Sequence, residues 1–174
     1  ELMPWYDKVL YLDSDLVVEG DISQLWQVEL GDNLLAAAHD IDFLGNLNAP
    51  GSDHTSYNER ILHMKDPYNY LQAGVLVLNT EQMRQLHSME EWLKLASNNA
   101  LIYNDQDVLN AACEGHVTYL DWRWNVMHDC GDRVGKVFSY APAEAFAAYN
   151  ASRTEPLVIH YAGLEKPWKY PGCD

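Results

Sequence analysis

A chain of 174 residues, 48% of them hydrophobic, is long enough to bury the core of one globular domain. Its formal charge of −15 at pH 7 argues against nucleic acid or an anionic membrane surface as the main partner, since both recruit Lys and Arg. Mean hydropathy is −0.32, and no apolar run approaches the ~20 residues that cross a bilayer.

Cys113, Cys130 and Cys173 are scattered, odd in number and form no CxxC pair, so neither structural zinc nor a disulfide framework is expected, and a reducing compartment is. The opening Glu1-Leu2-Met3-Pro4-Trp5-Tyr6 is no signal peptide and lacks an initiator Met, which suggests a segment of a longer protein.

In chain order, Val9-Leu10-Tyr11-Leu12 reads as a buried strand that stops abruptly at Asp13-Ser14-Asp15. In extended backbone i and i+2 share a side, so both carboxylates can grip one hard cation, Mg²⁺ or Mn²⁺. Asp-Ser-Asp is also ordinary turn chemistry. Residues 16–22 form a strand remnant and turn, and Ser23 is expected to cap a short helix carrying Leu25 and Trp26. Leu34 to Asp40 is another buried strand. Residues 41–54, with Gly45, Asn46, Asn48, Pro50 and Gly51, are the most loop-like part of the chain, and 57–64 a short helix.

Residues 70–79 make the second strong strand, whose Ala73-Gly74 pair lets a ligand or neighbouring backbone approach closely. Thr80 is the expected N-cap of a helical stretch over 81–98, in two pieces. Its stripe of Met83, Leu86, Met89, Trp92, Leu93 and Ala96 is expected in the core. Asp105-Gln106-Asp107 opens a further helix, Val117–Leu120 is a strand, 128–156 is mixed, and 157–160 is the last strand. Strands alternating with helices indicate one α/β domain with a mixed or mostly parallel sheet.

That last strand ends in a second polar constellation. His160 can offer a neutral imidazole nitrogen to a metal, and an O,O,N set tilts preference from Mg²⁺ toward Mn²⁺. Gly163 could admit backbone amides to a diphosphate, and Lys166 supplies a compact positive charge. The bland readings are a satisfied structural histidine and a solvated lysine.

Asp13-Ser14-Asp15 after an aliphatic strand, Gln72-Ala73-Gly74-Val75, Asp105-Gln106-Asp107 and the stretch from His160 through Gly163 and Lys166 to Trp168 occur in that order in one family. The sequence resembles the family 8 retaining glycosyltransferases, which include bacterial lipopolysaccharide and capsule sugar transferases and glycogenin. The resemblance runs from about residue 5 to 170.

It implies an α/β GT-A fold, a Rossmann-like mixed sheet flanked by helices, lacking the family's N-terminal strands. The 174 residues would then be one domain, the C-terminal portion of a GT-A catalytic domain. It implies a UDP-sugar donor bound through Mn²⁺, with Mg²⁺ as second choice, and a saccharide or glycolipid acceptor. By position, Asp13, Asp15 and His160 are the implied metal ligands, and Gly163 and Lys166 the diphosphate contacts. Asp105 matches the carboxylate that binds donor-sugar hydroxyls, and Gln106 the residue beside the anomeric carbon. Gln72, Ala73 and Gly74 face the donor sugar, with Gln72 standing where relatives often carry Asn or Ser. Trp122, Trp124 and Trp168 are candidate sugar contacts.

The cysteine pattern and nucleotide-sugar use favour a bacterial cytoplasm, with peripheral association at the inner membrane face, over the alternative of a Golgi lumen. The rival readings are a haloacid-dehalogenase-type phosphatase with Asp13 as nucleophile and a non-catalytic sugar-nucleotide-binding fragment.

Overall fold

Two mixed sheets, meeting at the Asp13-Ser14-Asp15 turn, organise the chain. The computed structural model describes residues 4–128, 132–163 and 166–169. Its first half contains β1 (Lys8–Leu12), β2 (Leu16–Val18), α1 (Ser23–Trp26), β3 (Leu35–Ala37), α2 (Ile41–Asn48) and α3 (His54–Tyr57), which runs on into a π-helical turn at Asn58–Leu62. A 3-10 turn at Pro67–Asn69 leads to β4 (Val75–Asn79), α4 (Thr80–Leu86), α5 (Met89–Ala96) and α6 (Asp105–Cys113). Then come β5 (Val117–Tyr119), a 3-10 turn at Trp122–Asn125, β6 (Val126–Met127), α7 (Arg133–Lys136), a 3-10 turn at Phe138–Tyr140, α8 (Ala143–Ser152) and β7 (Val158–His160).

The larger sheet has the order β1-β4-β3-β5 and the smaller one β2-β7-β6. β4 pairs antiparallel with β1 and β3, while β3 and β5 run parallel. Apolar residues cover both faces, as the uninterrupted apolar sequences require. Ala36, Val75 and Val77 pack into one cluster with Leu25 and Trp124, whereas Leu35, Ala37 and Leu76 pack into another with Met83, Trp92 and Cys113. A third cluster joins α2, α3 and α8 through Phe43, Tyr57, Tyr70 and Tyr149.

Several sequence expectations need correction. Residues 41–48 are helical, not loop: the Asp40 carboxylate accepts the Phe43 N–H at 2.9 Å and caps α2, while Ile41, Phe43 and Leu44 are buried. Gly45 lets this helix lie against the backbone at Val137, where a Cβ would come within 2.3 Å of the carbonyl oxygen. Asn79, not Thr80, caps α4, by accepting the Gln82 N–H. Ser23 is the first residue of α1, its N–H donated to Asp21.

The stripe over 81–98 forms two helices, but Leu86, Met89 and Leu93 are exposed, and only Met83 and Trp92 pack against the core. β6 went unforeseen because two residues carry no periodicity. Cys113 is buried and free; Cys130 and Cys173 lie outside the described residues. Among the described residues, no helix is long and apolar enough to cross a membrane.

Candidate active site

β1 and β2 lie in different sheets, so the Asp13-Ser14-Asp15 turn is where the chain crosses between them. β2 pairs antiparallel with β7 in a register that sets Leu16 opposite His160. The imidazole therefore arrives one residue from Asp15. The backbone is fixed on both sides: Asp13 N–H donates to the Gly74 carbonyl at 2.9 Å, and Tyr161 N–H to the Asp15 carbonyl at 3.1 Å.

His160 Nε2 lies 3.3 Å from Asp15 Oδ1 and 3.7 Å from Asp13 Oδ2. The other oxygen of each carboxylate is occupied. Tyr11 donates its hydroxyl to Asp13 Oδ1 at 2.7 Å, and Lys166 Nζ donates to Asp15 Oδ2 at 2.5 Å. Each side chain thus directs one ligand atom into a shared space, and the three atoms lie within 4.8 Å of one another. First-row divalent ions with ligands at ~2.0–2.2 Å hold adjacent ligand atoms ~3 Å apart, so the set fits such an ion with small adjustment.

Tyr11 was missed as a site residue, yet the signal was present: it stands two residues before Asp13 on a strand, hence on the same side.

Burial pushes the Asp15 carboxyl up, but the Lys166 hydrogen bond and the charges of His160 and Lys166 outweigh it and hold Asp15 below the usual carboxylate range. Burial holds the His160 imidazole below its ordinary value, against the pull of Asp15 and Asp13. A neutral imidazole facing two carboxylates is the form a metal requires.

These groups line one end of a cleft of about 620 Å³. Gln72, Ala73, Asp105, Gln106, Gly163 and Lys166 line it too, so of the residues expected at the metal, diphosphate and donor sugar the structure brings together all but Gly74, which lies beneath. A Cβ on Gly74 would sit 2.3 Å from His160 Cε1, so its bareness serves the imidazole rather than a ligand. Gln72 is buried, and its Oε1 accepts the Gly74 N–H at 2.6 Å.

Gln106 is buried as well, its Oε1 accepting from Ala73 N–H and its Nε2 donating to Asp40 Oδ2, both at 2.9 Å. Burial, then the Asp42 charge, pushes the Asp40 carboxyl up to about 6. Asp40, Asp42 and Arg133 line the cleft without having been foreseen. Arg133 pairs with Asp42 at 3.1 Å and donates to the Ala162 carbonyl at 2.7 Å, bracing the turn before Gly163.

The helix start at Asp105 is set from below. Asp107, fully buried, accepts from the hydroxyls of Tyr57 and Tyr70 at 2.7 and 2.6 Å and from the N–H groups of Ile102 and Tyr103 at 3.0 and 2.7 Å. That clamp holds Asn104 at φ 50°, ψ −119°, a conformation costly for a residue with a side chain. Strain at the cleft rim beside Asp105 is of the kind found at working sites. The expected tryptophans do not line the cleft: Trp124 is buried in the core, Trp122 faces grooves outside the cleft, and Trp168 is exposed.

The model of glycosyl transferase family 8 matches residues 1–172. The chain belongs to that family. Among curated relatives, the lipopolysaccharide 1,2-glucosyltransferase of Escherichia coli K12 is 27% identical over 168 residues, covering 93% of this chain and 44% of its own. General stress protein A of Bacillus subtilis is 26% identical over 165 residues, covering 92% and 52%. The chain therefore spans about half the length of these relatives.

Among solved structures, the bifunctional glycosyltransferase WbbM superposes with a TM-score of 0.81 at 34% identity, covering 94% of this chain and 30% of that one. The galactosyltransferase LgtC, in complex with donor and acceptor sugar analogs, gives 0.70 at 31%, covering 97% and 57%. The family 8 chain thus has the GT-A fold. With the family established, the phosphatase reading loses its basis, since it left His160 incidental where the structure sets it against both aspartates.

Proposed function

We propose that this chain carries the metal and donor-sugar part of a retaining hexosyltransferase that uses a UDP-sugar and Mn²⁺. The observation that carries the reading is the convergence of Asp13 Oδ2, Asp15 Oδ1 and His160 Nε2 on one space. Three acceptors facing one another are repulsive until a cation joins them. The cleft also carries Asp40, Asp42 and Asp105 against Arg133 and Lys166, so a free diphosphate would be repelled without such a mediator.

When bound, the cation supplies neutralising charge to the departing diphosphate. Lys166 adds a positive charge beside Asp15. Gly163, at φ 106°, turns the backbone where a side chain would be strained, which suits an amide presented to a phosphate oxygen. Asp105, on the cleft wall, accepts hydroxyls of the donor sugar in this reading. Gln72, with Oε1 committed inward, keeps its amide N–H groups for the cleft.

Gln106 is held by Ala73 and Asp40 and is a poor nucleophile, so departure of UDP and attack by the acceptor hydroxyl take place on the same face, with the leaving phosphate oxygen taking the hydroxyl proton. That relatives include a lipopolysaccharide glucosyltransferase and a galactosyltransferase supports glucose or galactose as the hexose and a glycan or lipopolysaccharide-type acceptor. Cytoplasmic action, at or near the inner membrane face, goes with that acceptor. The test is release of UDP across a panel of UDP-sugars with and without Mn²⁺. Mn²⁺-dependent release from a UDP-hexose is expected; UDP binding without release from any donor would favour the non-catalytic sugar-nucleotide module.

A further inference from the structure

Behind His160 lies a chain of buried amides whose orientation can be deduced from one end. A backbone N–H can only donate, so the Gln72 side-chain atom 2.6 Å from Gly74 N is the carbonyl oxygen. That oxygen already accepts, and Asn125 approaches it at 2.5 Å, so Asn125 must present its NH₂ there. The other end of the Asn125 amide is then its oxygen, which lies 2.8 Å from His160 Nδ1. An oxygen acceptor needs a proton on the ring nitrogen opposite. Hence Nδ1 carries the hydrogen, and Nε2 turns its lone pair toward Asp13 and Asp15.

We propose that Asn125 is the positioning residue that fixes the His160 tautomer for metal binding, with its own orientation keyed through Gln72 to the Gly74 backbone amide. Asn125 and His160 are each 2% exposed, so their contact is withdrawn from bulk water. Asn125 ends the 3-10 turn at Trp122–Asn125, and β6, which follows directly, pairs parallel with β7 in a register that sets Met127 opposite His160. The amide is therefore held by the same sheet that carries the imidazole. Gly74 serves both ends of the device: its N–H starts the chain, and its carbonyl accepts the Asp13 N–H. Outer groups that orient a metal-binding histidine characteristically change metal affinity 10- to 100-fold when removed.

The inference rests on the reading that Asp13, Asp15 and His160 hold the cation, and its test separates the two. Long-range ¹H–¹⁵N spectra of the metal-free protein, with His160 assigned by its loss in His160→Gln, report the tautomer directly. Mn²⁺ titration followed by electron paramagnetic resonance reports affinity without turnover. The Nδ1–H form is expected in the unsubstituted protein. Asn125→Ala should show an Nε2–H or mixed ring and bind Mn²⁺ about 10- to 100-fold more weakly. An Nε2–H ring in the unsubstituted protein overturns the proposal even if no variant folds. So does an Asn125→Ala protein with unchanged tautomer and affinity. Absence of Mn²⁺ binding in a protein that shows the Nδ1–H ring would instead refute the metal reading and leave the tautomer assignment standing.

Discussion

His160 Nε2 stands 3.3 Å from Asp15 Oδ1 because β7 pairs antiparallel with β2 and sets His160 opposite Leu16. Two residues from opposite ends of the sequence are thus made neighbours by strand register alone. A one-residue slip would turn the imidazole to the other face of the sheet. The site is as exact as the pairing beneath it, and its supports give the following expectations.

Gly74→Ala should damage both fold and site. The added methyl would press on His160 Cε1 at 2.3 Å, on Nδ1 at 2.7 Å and on Gln72 Oε1 at 2.8 Å, all groups fixed by buried hydrogen bonds. A stability loss of about 1–3 kcal/mol is expected, with Mn²⁺ binding weakened about tenfold or more. Urea unfolding and a Mn²⁺ titration check the two parts. A variant of normal stability and affinity would mean that His160 can move without consequence.

Asp107→Asn tests the clamp under Asn104. One carboxylate oxygen becomes an NH₂: at the Oδ2 position it meets the N–H donors of Ile102 and Tyr103, and at Oδ1 it pairs only if the Tyr70 hydroxyl turns from donor to acceptor. The cost of leaving such groups unpaired is about 2–3 kcal/mol. Because the clamp sets the start of α6, UDP-sugar affinity should fall while Mn²⁺ affinity, which belongs to other elements, stays unchanged. Equal loss of both would contradict this division.

Asp40 gives a pH dependence of definite sign. Its carboxyl is raised in the folded protein, from an ordinary 3.8 to about 6. The native state therefore holds the proton more tightly than the unfolded chain. Its contribution is fully present below about pH 4 and is lost as pH rises through about 6. Asn cannot titrate, so stability relative to Asp40→Asn should decline across that window. Melting temperatures of both proteins from pH 3.5 to about 7.5 check it; parallel curves would show that Asp40 titrates normally.

The sequence made the site more legible than the fold around it. Asp13-Ser14-Asp15, Ala73-Gly74, Asp105-Gln106 and His160 announce themselves because each is a short pattern at the end of an apolar strand, and strand ends are where an α/β sheet presents side chains. The helix over Ile41–Asn48 did not, since Gly45, Asn46 and Asn48 lower its intrinsic propensity and only the Val137 backbone packed against Gly45 explains the glycine. The 81–98 stripe gave the right elements but the wrong burial. Helical periodicity marks an apolar face and says nothing of what covers it, and Leu86, Met89 and Leu93 are exposed. Asn125 and Asp107 were passed over because a lone buried amide or carboxylate has no pattern; only the partners brought by tertiary structure give it meaning.

Mn²⁺ binding in the presence and absence of UDP, measured by electron paramagnetic resonance on the unsubstituted protein and on Asp15→Asn and His160→Ala, tests the central claim most directly. A single Mn²⁺ bound more tightly with UDP, and lost or weakened at least about tenfold in both variants, is the expected result. Mn²⁺ and UDP that bind independently, or variants that bind as the unsubstituted protein does, would contradict a cation held jointly by the two aspartates and the histidine.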